Sequence, residues 1–121
     1  MGDLEYIAGV FDVRGFIKYS YGTDYSYAIY FNFTENEKKV WEEIKNIIDK
    51  YVPSKIYEAR RLKGKQKEYQ LYISGKKNVI EFLEKILPFT KRWKEVAMYL
   101  KFLKERGRDV ERDMKMLEET I

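Results

Sequence analysis

Twice along the chain, two short runs of aromatic and β-branched residues joined by a turn lead into an amphipathic helix. This doubled hairpin–helix order restricts the fold more than any other feature of the sequence. Residues 16–21 and 25–33, with Gly22-Thr23-Asp24 between them, read as the first hairpin. Thr34-Glu35-Asn36-Glu37 then has capping-box spacing, and Val40, Trp41, Ile44, Ile47, Ile48 and Tyr51 carry the apolar face of a helix that Pro53 ends. Residues 55–62 and 68–74 form the second hairpin around Lys63-Gly64-Lys65-Gln66-Lys67. A helix over 78–87 follows, with Val79, Ile80, Phe82, Leu83, Ile86 and Leu87 as core, and Pro88 breaks it. A short helix over 4–12, with Leu4, Ile7, Ala8 and Phe11 at helical spacing and Gly15 as its stop, precedes the hairpins. A helix over 91–106, with Trp93, Val96, Ala97, Leu100 and Leu103 on one side, follows them. The order is α-ββ-α-ββ-α-α, and residues 107–121, with Val110, Met114, Leu117 and Ile121, make a C-terminal amphipathic helical extension to the 1–106 domain. Hairpins bring no crossover helices, so the expected fold is α+β: one four-stranded antiparallel sheet with helices on one face and the other face free for a partner.

Strand alternation sorts the residues by face. Ile17, Tyr19, Tyr21, Tyr25, Tyr27, Ile29, Phe31 and Phe33 are expected inward, and Phe16, Lys18, Ser20, Ser26, Ala28, Tyr30 and Asn32 outward. In the second hairpin Tyr69, Leu71 and Ile73 point inward and Glu68, Gln70 and Tyr72 outward. Over 55–62 the alternation leaves either Arg60 or Arg61 on the open face, with Arg60 preferred.

The chain has no Cys and no His, which excludes disulfides, thiol nucleophiles, zinc-finger ligands and imidazole bases; catalysis here would need carboxylates, lysines, tyrosines or an oxygen-held metal. Lys+Arg 24 against Asp+Glu 20 gives +4, a basic balance compatible with nucleic acid. The acidic start Met1-Gly2-Asp3-Leu4-Glu5 does not read as a presequence and no apolar run reaches membrane length, so an intracellular, cytoplasmic protein is expected. The 36% charged fraction, with Lys and Glu prominent, matches thermophile composition without fixing the source.

Ile7-Ala8-Gly9-Val10-Phe11-Asp12-Val13-Arg14-Gly15-Phe16 resembles the nine-residue signature of the LAGLIDADG homing endonucleases, with Ala8, Gly9, Asp12 and Gly15 identical. The αββαββα order, the Thr-capped helix carrying Trp41, and Pro88-Phe89-Thr90-Lys91 opening the last core helix also resemble single-motif members. The resemblance covers roughly residues 4–105. It implies a homodimer joined through the motif helix, with Ile7, Ala8, Gly9 and Asp12 at the interface, whose paired saddle sheets bind a roughly palindromic duplex DNA. Matching strand positions then assign DNA contacts to Lys18, Ser20, Ser26, Tyr30, Asn32, Arg60, Gln70 and Tyr72, with Lys63, Lys65 and Lys67 on phosphates and Arg14 a further DNA contact from the end of the motif helix.

The chain departs from the family at the acidic position just before the final motif glycine, which in active members binds a divalent metal such as Mg2+; here it is Arg14. The assisting basic position two beyond Lys91 is Trp93, leaving Lys91, Arg92 and Lys94 as substitutes and Asp12 and Lys91 as the remnants of a catalytic centre. The first expectation is therefore a DNA-binding protein without cleavage, metal or cofactor, in which Arg14 holds a phosphate. The alternatives are an active endonuclease using Asp12 or Glu5 with an unconventional metal arrangement, an RNA-binding intron maturase, and a protein-interaction module.

Overall fold

The structure, a computed structural model, describes residues 2–19, 27–58 and 67–105. The expected turn at Gly22-Thr23-Asp24, the expected inward residues Tyr21 and Tyr25, the choice between Arg60 and Arg61, and the 107–121 extension lie outside the described residues.

Helix α1 spans Asp3–Arg14, with Asp3 and Glu5 at its positive end and Arg14 in its last turn, both favourable to the helix dipole. It runs two residues past the expected boundary because the stop is steric rather than a breaker within the helix. Gly15 is extended, its N–H donates to the Phe11 carbonyl, and strand β1 (Gly15–Tyr19) starts with no loop between. Strand β2 (Tyr27–Thr34) leads through a 3-10 turn, Glu35–Glu37, into α2 (Lys38–Ile48). Strands β3 (Lys55–Glu58) and β4 (Glu68–Ser74) precede α3 (Lys76–Ile86) and α4 (Trp93–Glu105).

The four strands form one antiparallel sheet in the order β1-β2-β4-β3. The longest and most apolar strands, β2 and β4, lie in the middle, where both of their edges are paired. Their inward residues Ile29, Phe31, Phe33, Tyr69, Leu71 and Ile73 are buried beneath the helices, as the alternation predicts. Phe82 of α3 meets Phe11 and Phe31 edge-on at 6.3 and 6.4 Å, and Phe33 stacks between Trp41 and Tyr69 at 5.3 and 5.5 Å. Each such ring contributes about 1.5–3 kcal/mol by burial, so this aromatic layer fixes how the helices sit on the sheet.

Five residues of the sheet and helices differ from the sequence reading. Val40 and Trp93, expected on apolar helix faces, are exposed; Val40 is one position off the stripe of Trp41, Ile44 and Ile48 that α2 buries. Tyr99 and Phe102, not among the expected core residues, are buried on α4 beside Val96, Leu100 and Leu103, with Phe102 against Tyr27 at 6.3 Å. Ala28 lies on the open-face register yet is buried, because a methyl group is too short to emerge between its neighbours in a central strand.

At the end of α2 the Asp49 carboxylate accepts from the Ser54 N–H (3.0 Å), the Ser54 hydroxyl (2.6 Å) and the Lys45 ammonium (2.5 Å). Burial pushes its pKa up, but the Lys45 and Ser54 hydrogen bonds outweigh that and hold it below the usual value. A depressed folded pKa stabilises the fold above the unfolded value, about pH 4, and that contribution disappears as pH falls through the folded value. Denaturation midpoints followed from neutral to strongly acidic pH should therefore fall less steeply in Asp49→Asn than in the wild type. Equal slopes would remove Asp49 as a source of acid sensitivity.

Candidate nucleic-acid interface

The C-terminal end of α1 joins two polar clusters. In the first, the Arg14 guanidinium grips Glu37 with both terminal nitrogens, Nη1 to Oε1 at 3.2 Å and Nη2 to Oε2 at 2.9 Å, and Nη1 also donates to the Asn32 carbonyl at 3.3 Å. Glu37 closes the capping box as well, accepting from the Thr34 N–H at 3.2 Å. The Arg14 hydrogen bond, then the Thr34 N–H, hold the Glu37 carboxyl below its usual pKa. The capping box was legible in the sequence; that its carboxylate also neutralises Arg14, 23 residues away, was not.

In the second cluster Asp12 accepts from the Thr90 hydroxyl and, at 3.0 Å, from the Lys91 N–H. Thr90 is buried and its hydroxyl also accepts from the Arg92 N–H at 3.1 Å, so it caps the chain entering α4. Arg92 donates from Nη1 to the Phe11 carbonyl (2.9 Å), which also accepts from the Gly15 N–H, and to the Gly15 carbonyl (2.6 Å), both at the end of α1. Its Nε and Nη2 pair with Glu95, and its guanidinium lies 4.3 Å from the centre of the Phe11 ring. Asp12 and Arg92 thus work as a clamp between α1 and α4. The Lys91 side chain is exposed and only its backbone belongs to the clamp.

These donor sets do not fit a divalent cation. Asp12 is taken by Thr90 and Lys91 and Glu37 by Arg14 and Thr34, and Glu5, exposed on α1, borders the same groove as the Arg14–Glu37 pair. Among the described residues no three acidic groups converge where a metal would need them.

The open sheet face brings several expected contact residues together. A hollow of about 350 Å³ is lined by Arg14, Asn32, Thr34, Glu37, Glu68 and Gln70. Tyr30 and Tyr72 are register partners beside it, as are Asn32 and Gln70. Lys67 borders β4, and Lys18 is placed by register opposite Ala28. Ser20, Ser26, Arg60, Lys63 and Lys65 lie outside the described residues. Alternation over 55–58 is resolved by pairing, with Ile56 opposite Leu71 on the core side and Tyr57 opposite Gln70 on the open side. Tyr57 was not among the expected contacts, although its β-strand aromatic character was the available signal.

Ile7 and Ala8, expected at a contact between copies, are instead covered by the chain's own core, at 1% and 0% exposure. They share the inner face of α1 with Phe11, so any second molecule meets the other side of the helix. That side carries Tyr6, Gly9, Val10 and Val13, which with Val40 of α2 line an apolar groove of about 510 Å³. Val13 is 83% exposed, and nothing lies within 4 Å of where a Gly9 Cβ would be.

A four-stranded antiparallel sheet backed by helices, entered directly from a helix that keeps an outer apolar face, defines a half-saddle domain of the homing-endonuclease type. The chain belongs to the LAGLIDADG-like domain family, whose model matches residues 2–87. Among solved structures it is similar to the homing endonuclease I-CvuI in complex with the I-CreI target (TM-score 0.67, 15% identity, 84% of this chain and 66% of that one). It is also similar to the LAGLIDADG meganucleases I-CpaMI and I-AabMI, each bound to uncleaved DNA (TM-score 0.61 for both, 15% and 16% identity, 86% and 99% of this chain). At these identities the likeness establishes the fold. The chain spans 36% and 40% of those two meganucleases. No curated protein sequence matches the chain. No helix among the described residues is long and apolar enough to cross a membrane.

Proposed function

We propose that two copies of this chain form an intracellular homodimer that binds a roughly palindromic duplex DNA and has given up strand cleavage. The observation that carries the reading is the Arg14–Glu37 ion pair at the end of the motif helix: where the resembled nucleases hold a metal with a carboxylate, this chain places a guanidinium and pairs it with Glu37. Arg14 uses Nη1 twice and Nη2 once, and its side chain is 44% exposed, so Nε–H and the second Nη2 hydrogen remain to meet a phosphate without releasing Glu37. Asn32, Gln70, Tyr30 and Tyr72 serve as base readers in this proposal, and Lys18, Ser20, Ser26, Arg60, Lys63, Lys65 and Lys67 are its further contact residues.

Selection of bound fragments from random duplexes tests this directly, with a palindromic site expected and Mg2+-independent retention of intact DNA. Magnesium-dependent nicking of the selected site would overturn the loss of cleavage. On that site Arg14→Ala should reduce the slope of log affinity against log salt by about 0.9 for each copy bound. An unchanged slope would take Arg14 off the phosphates.

Gly9 supports the dimer. A glycine in a helix interior costs about 0.8–1 kcal/mol relative to alanine, and inside this monomer nothing requires it. Close approach of a second helix explains the missing Cβ. Gly9→Ala is thus expected to raise the stability of the isolated fold by up to about 1 kcal/mol while shifting the sedimentation equilibrium toward monomer. A variant that dimerises as well as the wild type would move the crossing point elsewhere.

A further inference from the structure

The uncovered sheet face carries a row of rings whose two end members have no task in the duplex reading. Phe16 and Tyr30 stack 5.2 Å apart at 18°, Tyr30 and Tyr72 continue at 6.4 Å and 22°, and Tyr57 ends the row 5.9 Å from Tyr72, turned by 78°. The row crosses all four strands, and its end members Phe16 and Tyr57, on the two edge strands, are each 48% exposed. Because the middle rings stand face to face, the open π-faces are at the ends. At the Tyr57 end a cleft of about 160 Å³ is bounded by Tyr57, Tyr72, Lys55, Ser74 and Asn78. Asn78 donates to the Ser74 carbonyl at 3.1 Å, which fixes its amide at the rim, and Lys55 is the register partner of Tyr72.

Duplex DNA hides its base faces within its own stack and offers groove edges and phosphates, where an aromatic ring can touch a thymine methyl but has no base face to stack on. Unpaired bases offer π-faces, and aromatic platforms flanked by cations are how single strands are held. Charge agrees: the chain is basic by +4, and the open-face strand positions carry Lys18 and Lys55 against Glu68. We propose that this face binds unpaired nucleotides, one base seated in the cleft against Tyr57 and Tyr72 with Lys55 beside its phosphate, and another continuing the row on Phe16. The inference shares the nucleic-acid class of the preceding proposal and departs from it in requiring single-stranded segments.

Fluorescence anisotropy with one short labelled sequence, presented as single-stranded DNA, as RNA and as annealed duplex, tests it on the full chain at fixed salt. The single strands should bind more tightly than the same unselected duplex. Tyr57→Ala and Phe16→Ala, both at exposed positions on edge strands, should each weaken single-strand binding about five-fold or more, and Tyr57→Phe should restore it. Binding of both strand types, or of RNA alone through added 2′-hydroxyl contacts, supports the inference. Single strands bound no better than the unselected duplex, or aromatic variants within two-fold of wild type, would overturn it. Affinity for a selected palindromic duplex is read separately, so either proposal can fail while the other stands.

Discussion

Asp12→Ala is expected to lower the free energy of unfolding by about 2–3 kcal/mol, from the loss of two hydrogen bonds to a charged acceptor and of the cap they provide. The carboxylate ties the last turns of α1 to the chain entering α4 through the Thr90 hydroxyl and the Lys91 N–H. Its removal leaves the Thr90 hydroxyl buried without its acceptor. Asp12→Asn keeps one acceptor oxygen and should lose roughly half as much, by the same per-bond magnitudes. Urea denaturation of the two variants provides the comparison. If Asp12→Ala unfolds at the wild-type midpoint, the clamp contributes nothing and Asp12 returns as a candidate for chemistry.

The second large effect is expected at Gly15. Its backbone is ordinary extended chain, so conformational freedom is not the reason for glycine there. A Cβ would stand 2.8 Å from the Phe11 carbonyl oxygen and inside contact distance of the Phe11 ring, which is itself fully buried and held under Arg92. Neither group can retreat, because the carbonyl accepts from Arg92 and the ring packs on Phe82. Gly15→Ala should therefore cost about 1–3 kcal/mol, at the upper end because one obstacle is backbone. Pairing it with Phe11→Leu should cost less than the two single changes added together, since the smaller side chain removes part of the collision. Strict additivity would show that the ring is not what excludes the Cβ.

Much of the architecture was readable from local pattern. The αββαββα order, the two hairpins, the Thr34–Glu37 capping box and the inward set of β2 and β4 all follow from spacings of two to four residues. Those spacings report directly on which side of a strand or helix a residue occupies. The family signature was readable for the same reason, being nine contiguous positions. The misplaced residues show the limit of this signal. Val40 and Trp93 are apolar and near the right phase, but a neighbour one position away satisfies the core better, and hydrophobicity alone does not choose between them. Ile7 and Ala8 are a related case: α1 is apolar on both sides, so its periodicity does not say which side the monomer keeps.

The sequence by itself determined the kind of fold and the open sheet face, and it places a guanidinium, Arg14, just before the last glycine of the signature. Only the tertiary structure decided what the polar side chains at that site do. Arg14 meets Glu37, Asp12 meets Thr90 and Arg92 meets Gly15 across separations of 23, 78 and 77 residues. The rings of Phe16, Tyr30, Tyr72 and Tyr57 likewise form one row only after β4 has paired with both β2 and β3. The physical reason is range: backbone periodicity is imposed by neighbours in the chain, whereas a charge or a π-face is satisfied by whatever group the packed core brings within a few ångströms.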